Sequence, residues 1–334
     1  MFYYDGGPRQ PDGGLNSAYG PPLVCVGGLA EAGACFYKQI MALGSLGFRV
    51  VALTLPPVSD MEELGRIVIG LLDALGIVSA VLLGSGMGGF VVQVAARLSP
   101  AHVAGLVLVN TFVDLGHFSG DLTCVPLISF MPDLIIRKKL LARLPSTELE
   151  PGIRDSVDFV VSTSESLSRS MLVARCRALA SDYSLDGPVP TPQSAILVID
   201  AMDDVAVPDR AREEVSLFYP QARVAELKDG GNFPHLSRAS EVHMHIKLLY
   251  RATEWDPVPT EQMTPLAVSP SSKRRGKSSR PRPKVSAADV QALDGGVDGD
   301  PRYGEAPIVA RSFDPNLDSF DSYEDQDEDP SAYF

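Results

Sequence analysis

Apolar residues in this chain fall into short unbroken runs, separated by stretches in which they recur at helical spacing. Leu23 to Val26, Phe48 to Leu55, Ala80 to Leu83 and Val103 to Val109 are nearly free of polar residues. Runs of this kind belong to strands buried on both faces, as in a parallel sheet covered by helices. Between them, Gly33 to Leu46 places Phe36, Ile40 and Leu43 along one side. Met61 to Leu75 turns Leu64, Ile67 or Val68, and Leu71 or Leu72 inward, and Phe90 to Leu98 also reads as a helix. The beat resumes later with strands at Ala195 to Asp200 and Arg223 to Leu227, and helices at about Asp209 to Tyr219 and Leu236 to Tyr250. Alternation of this kind predicts a doubly wound, mostly parallel α/β sheet.

Two regions depart from the rhythm. Residues 111–190 are mostly helical in pattern, punctuated by Phe130-Met131-Pro132-Asp133 and Leu144-Pro145-Ser146, with one or two helices over Ser156 to Ala180. They are placed where a helical cap over an active-site mouth would sit. After about Trp255 the chain is rich in Pro, Ser, Asp and Gly and poor in large apolar residues. Such a segment cannot bury enough surface to offset chain entropy, so a disordered tail is expected over 253–334. It carries a basic run at 273–284 and an acidic run at 314–329, which attract each other weakly. The expected organisation is thus an N-terminal segment (1–20), a main domain (21–252) with its cap at about 111–190, and the tail.

Composition adds limits. With 45% hydrophobic and 21% charged residues in 334, one sizeable core is within reach. A formal net charge of −13 opposes nonspecific nucleic-acid binding. Cys25, Cys35, Cys124 and Cys176 have neither C-x-x-C spacing nor paired histidines, so they read as small core residues in a reducing compartment, with no metal site and no cofactor expected. His243 and His245, two apart on a helix, make a poor metal pair and are expected at the surface or an edge; His102 and His117 lie in no motif. No apolar run reaches the roughly 20 residues that span a bilayer, and no signal peptide opens the chain; a soluble intracellular protein is expected.

The chemistry lies in Gly84-Ser85-Gly86-Met87-Gly88-Gly89, between the run Ala80 to Leu83 and the helix that follows. It matches the strand–turn–helix G-x-S-x-G of α/β-hydrolases, in which the serine sits on a sharp turn. Aligning Gly84 and Gly88 with the motif glycines puts Gly86 at the nucleophile position, with Ser85 one residue early. In chain order the acid comes next, and Asp204-Val205-Ala206-Val207-Pro208 resembles the turn that carries it, with Asp203 as the competing assignment. The base should follow the last strand, where Gly230-Gly231-Asn232-Phe233-Pro234-His235 puts Asn232 in its place. An amide cannot exchange a proton near neutral pH, though it hydrogen-bonds in fixed geometry. His235 is a residual candidate for a displaced base. Gly27-Gly28 stands where an oxyanion loop belongs, and its N–H groups could form an anion-binding nest. Gly27, Gly28, Ser85, Gly86 and Met87 are therefore the expected ligand-contacting set.

These departures resemble the maspardin family, a divergent branch of the α/β-hydrolase superfamily. The resemblance rests on Tyr4-Asp5-Gly6-Gly7-Pro8-Arg9, Phe36 to Leu43, Gly47 to Leu53, Asp158-Phe159-Val160 and, most specifically, Gly230-Gly231-Asn232-Phe233-Pro234, and spans about Tyr4 to Tyr250. Maspardins keep a serine in a G-A-S-L-G-G elbow, where this chain has Gly86. The chain also starts near the family's second strand, so one or two N-terminal edge strands are expected to be missing, through truncation or genuine loss. The resemblance implies a cytosolic protein that reaches endosomal or trans-Golgi membranes through partners, acting in trafficking or receptor signalling. It further implies a receptor tail or an aldehyde-dehydrogenase-like protein as the kind of partner. The leading expectation is a noncatalytic adaptor. Two alternatives stay open: a residual esterase or thioesterase using Ser85, and a small-ligand receptor using Gly86, Asn232 and the Gly27-Gly28 nest.

Overall fold

The computed structural model of the protein describes residues 2–7, 20–118, 128, 130–133, 135–137, 149–253, 255 and 309–312. Among them runs a sheet of order β7-β6-β5-β4-β2-β3-β1-β8. Six strands lie parallel in one block: β2 (Leu23–Val26), β3 (Val50–Thr54), β4 (Ala80–Ser85), β5 (Val103–Val109), β6 (Ile196–Ala201) and β7 (Arg223–Leu227). The continuous apolar runs are what such strands require, and β2, β3, β4 and β6 are buried at every residue. Their side chains alternate between two cores. Val24, Leu82, Leu106 and Val198 face one side, and Cys25, Leu83, Val107 and Leu197 face the other. Helices α2 (Met61–Ala74), α3 (Met87–Leu98) and α6 (Asp209–Phe218) contribute to the first core, α1 (Tyr37–Ser45) and α8 (Ala239–Ala252) to the second. Asp60 caps α2, its carboxylate accepting the Glu63 N–H at 2.7 Å.

In the cap, α4 (Pro151–Ser164) and α5 (Arg169–Leu179) cover Ser156 to Ala180 as two helices. Leu144-Pro145-Ser146 lies outside the described residues, as do Cys124 and both charged runs of the tail. The helix expected from Leu236 is divided at Arg238 into α7 (Pro234–Ser237) and α8.

Two strands escape the hydrophobic pattern. β1 (Phe2–Gly6) pairs antiparallel with β3, Phe2 opposite Thr54. β8 (Val309–Ser312) pairs antiparallel with the outer edge of β1. The expectation of a tail without elements therefore does not extend to Val309–Ser312. The backbone donors and acceptors on β1 offer a short segment hydrogen bonds without demanding a large apolar face. His243 also departs from its expected surface position: it is buried on α8, and burial, with Lys247 and Lys38 adding to it, lowers its imidazole to about 4.

The strand order reverses where β2 lies between β3 and β4. Crevices at the carboxyl ends of strands open at such switch points. The loop after β2 and the turn after β4 emerge there side by side, with Val26 in register with Gly84.

Candidate functional site

The turn from β4 into α3 keeps a demanding backbone. Gly86 has φ 51° and ψ −118°, in the positive-φ half of the map that residues with side chains seldom occupy. Its N–H donates to Val109 O at 2.9 Å, and Thr111 Oγ1 donates to Gly86 O at 2.8 Å. Gly84 allows the helix to crowd the strand, since a Cβ there would overlap the Gly88 and Gly89 backbone. At Gly86 itself there is room: the nearest atom to an added Cβ is Asn110 O, at 4.0 Å. The slot for a nucleophile side chain is therefore shaped and partly accessible, and this chain places a hydrogen atom in it.

Ser85 does not reach that slot. It is the last residue of β4, 1% exposed, and its Oγ donates to Glu31 Oε1 at 2.9 Å. Gly28 of the loop after β2 donates its N–H to the same oxygen at 3.2 Å. Gly28 also backs onto the elbow, since a Cβ added to it would lie 2.8 Å from Glu31 Oε1 and 3.7 Å from Met87 N. The anion at the Gly27-Gly28 loop is thus the protein's own buried carboxylate. Its other oxygen lies 3.2 Å from Nε2 of fully buried His235, without hydrogen-bond alignment. His235 stacks on Phe36, centroids 4.8 Å apart, and Gln39 Nε2 donates to its carbonyl at 2.6 Å. The order is serine, carboxylate, imidazole, so the hydroxyl faces an acid rather than a base.

Arg175 of α5 completes this cluster. It has no exposed surface and donates to the carbonyls of Gly28, Leu29, Glu31 and Leu55 at 2.9 to 3.1 Å. Burial lowers its guanidinium to about 10, while Glu31 acts in the opposite direction. One cap side chain thereby ties α5 to the loop after β2. Nearby Cys35 bonds Thr163 Oγ1 at 3.3 Å, and burial, with Glu31 adding to it, pushes its thiol up to about 12. Cys25 and Cys176 are likewise buried.

The acid and base loops meet on the other flank. Asp204 is buried, and its carboxylate turns back on its own loop, accepting from Ala206 N at 2.8 Å and Val207 N at 3.3 Å. Burial raises it to about 6 although those N–H groups and Arg212 oppose the rise. Asp203, the competing assignment, is exposed and accepts the Gly231 N–H at 2.8 Å, so the neighbour of Asp204 makes the link to the Asn232 loop. Asn232 is buried, and its Oδ1 has no hydrogen-bond partner among the described residues. Asn110 holds the loops together: its Oδ1 accepts from Ala201 N at 2.8 Å and its Nδ2 donates to Gly231 O at 3.0 Å. It does so at φ 42°, a conformation asparagine tolerates better than most residues.

Glu31, Arg175 and Asn110 carry this arrangement, and the sequence reading singles out none of them. Faint signals exist: Arg175 is a lone charge within Met171 to Cys176, and Asn110 directly follows a fully apolar strand end. The structure brings Gly27, Gly28, Ser85, Gly86 and Met87 together, and joins Ser85 to His235 only through Glu31.

Comparison with known proteins agrees with this geometry. Residues 23–243 match the model of the alpha/beta hydrolase family. A thermophilic esterase from Thermogutta terrifontis superposes with a TM-score of 0.62 at 22% identity, over 75% of this chain and 93% of its own. The enol-lactonase from Burkholderia xenovorans LB400 gives 0.63 at 19%, over 75% and 96%. At such identities these likenesses speak for the fold alone. Maspardin from Danio rerio is 34% identical over 250 residues, 74% of this chain and 77% of that protein. Human maspardin is 32% identical over 247 residues, 73% and 77% respectively. With that identity across most of both chains, and the Gly-Gly-Asn-Phe-Pro loop beside an α/β-hydrolase elbow, this chain belongs to the maspardin family of the α/β-hydrolase superfamily.

Proposed function

We propose that this protein is a catalytically impaired member of its superfamily that works by binding other proteins, as an adaptor in intracellular trafficking or receptor signalling. The observation that carries the reading is the Glu31 carboxylate lodged against Gly28 N–H and Ser85 Oγ. Acyl transfer needs free donors where negative charge develops on the substrate oxygen. Here a donor on the loop is already engaged, and a resident negative charge opposes a second one beside it. The elbow, meanwhile, offers no atom to attack with, and Asn232 stands where the base belongs.

The cap and the mouth above Gly86 are the surfaces offered to partners. Kinship with the maspardins supports a cytoplasmic protein that meets endosomal or trans-Golgi membranes through a receptor tail or an aldehyde-dehydrogenase-like protein. Among the described residues no helix is long and apolar enough to cross a membrane. The test is fluorophosphonate labelling read by intact mass, beside an active hydrolase. No adduct is expected. An adduct that disappears in Ser85→Ala would overturn the reading in favour of a residual esterase. A second reading, a small-ligand receptor, draws on Asn232 Oδ1, a buried acceptor without a partner among the described residues. It predicts that a hydroxyl- or amide-bearing ligand loses affinity in Asn232→Leu.

A further inference from the structure

Away from the elbow, the turn after β5 meets helix α6. There Asp114, His117 and Glu214 each turn one donor atom toward a common point, the three atoms within 4.8 Å of one another. His117 Nε2 and Glu214 Oε2 are 2.7 Å apart across 97 residues of sequence. Asp114 is held in place by its own turn: Oδ1 accepts the Gly116 N–H at 2.8 Å, and its backbone bridges to Ser184 of the cap. Both carboxylates line an open groove of about 380 Å³ walled by Val113, Leu185, Leu217 and Phe218.

We infer that Asp114, His117 and Glu214 form a binding site for a divalent transition-metal ion. One imidazole nitrogen and two carboxylate oxygens are a donor set that Zn²⁺ and Mn²⁺ accept, with bonds of about 2.0–2.2 Å. The three donor atoms, within 4.8 Å of one another, reach that distance by rotation of exposed Asp114 and partly exposed Glu214. The open groove leaves a coordination position for water or a ligand atom. The charge balance points the same way. Two carboxylates face the site, and the exposed Arg210 approaches only one of their oxygens, Glu214 Oε1, with its Nε at 3.6 Å. A divalent ion compensates both carboxylates and pins the turn after β5 to α6. The imidazole sets the selectivity, because Mg²⁺ prefers oxygen donors and retains its water.

The experiment is isothermal titration of metal-stripped, reduced full-length protein with ZnCl2, MnCl2 and MgCl2 separately. The variants are Asp114→Asn, His117→Ala and Glu214→Gln, each checked for native circular dichroism. One equivalent of Zn²⁺ or Mn²⁺ is expected, with at least a tenfold loss of affinity in every variant and no comparable Mg²⁺ binding. Asp114→Asn leaves the His117–Glu214 pair intact, so its loss of affinity reports the ion rather than a broken ion pair. Absence of binding would overturn the inference. So would Zn²⁺ binding that survives His117→Ala, or a Mg²⁺ affinity equal to that for Zn²⁺.

Discussion

The elbow after β4 and the loop after β2 sit side by side at the switch point, and they depart from the hydrolase pattern in opposite ways. The elbow keeps the backbone and lacks a side chain. The loop keeps its paired glycines and has acquired a side chain, Glu31, that occupies its amide. The elbow's conformation is over-determined by its surroundings. Thr111 Oγ1 holds the Gly86 carbonyl, and the helix backbone presses against Gly84. Chemistry has no such redundancy, since it depends on single atoms at single positions. The comparison teaches that a backbone held by many contacts keeps its shape whether or not it presents a reacting side chain.

The sharpest way to break this comparison is to remove what holds Glu31 in place. Arg175→Ala should cost about 3–5 kcal/mol in urea denaturation, because four backbone carbonyls lose a charged donor and a large buried side chain is removed. A cost below about 1 kcal/mol would mean that the cluster does not brace the loop.

Next in size is a pH effect on the acid loop. Burial raises Asp204 from 3.8 to about 6, so the folded chain holds that proton more tightly than the unfolded chain does. Its contribution to stability is therefore greatest below about pH 4 and is lost as pH rises toward 6, by up to about 3 kcal/mol. His243, lowered to about 4, acts in the opposite sense, its contribution being lost as pH falls from 6.5 toward 4. Denaturation across pH 4 to 7 should show the falling component reduced in Asp204→Asn, the remainder coming from Asp200, which burial also raises to about 6. An unchanged profile would remove Asp204 from the account.

Smaller again, Glu31→Gln should cost about 1–2 kcal/mol by urea denaturation, since the amide keeps an acceptor for Gly28 N–H and loses the charge beside Arg175. Smallest is Gly86→Ser. The space is open, so only backbone strain opposes it, and thermal unfolding should report about 1–2 kcal/mol. That variant alone should show no esterase turnover, because Asn232 supplies no base. Turnover would show that the elbow and a displaced base suffice.

Local regularities made much of this protein legible. Five of the six parallel strands appear as nearly unbroken apolar runs because both faces are buried, whereas β7 at the sheet edge carries Arg223 and Glu226, and the helices show their spacing because one face is buried. The elbow is visible because two close approaches and one positive φ demand glycine at fixed intervals. β1 and β8 left no such trace, since edge strands draw on backbone pairing rather than on an apolar pattern, and their partners lie far along the chain. The same holds for the side chains that define the site. Whether Asp203 or Asp204 reaches the base loop turns on one residue of backbone rotation. That Glu31 fills the amide of Gly28, that Arg175 descends from the cap to clasp it, and that His117 finds Glu214 depend on contacts across 3, 144 and 97 residues. The sequence by itself determined the parallel strands, most of the helices, and the glycine and asparagine at the aligned nucleophile and base positions, because these follow from periodicity and residue type. Only the tertiary structure decided which charges meet, because a buried charge takes its partner from whatever the packed chain brings within a few ångströms.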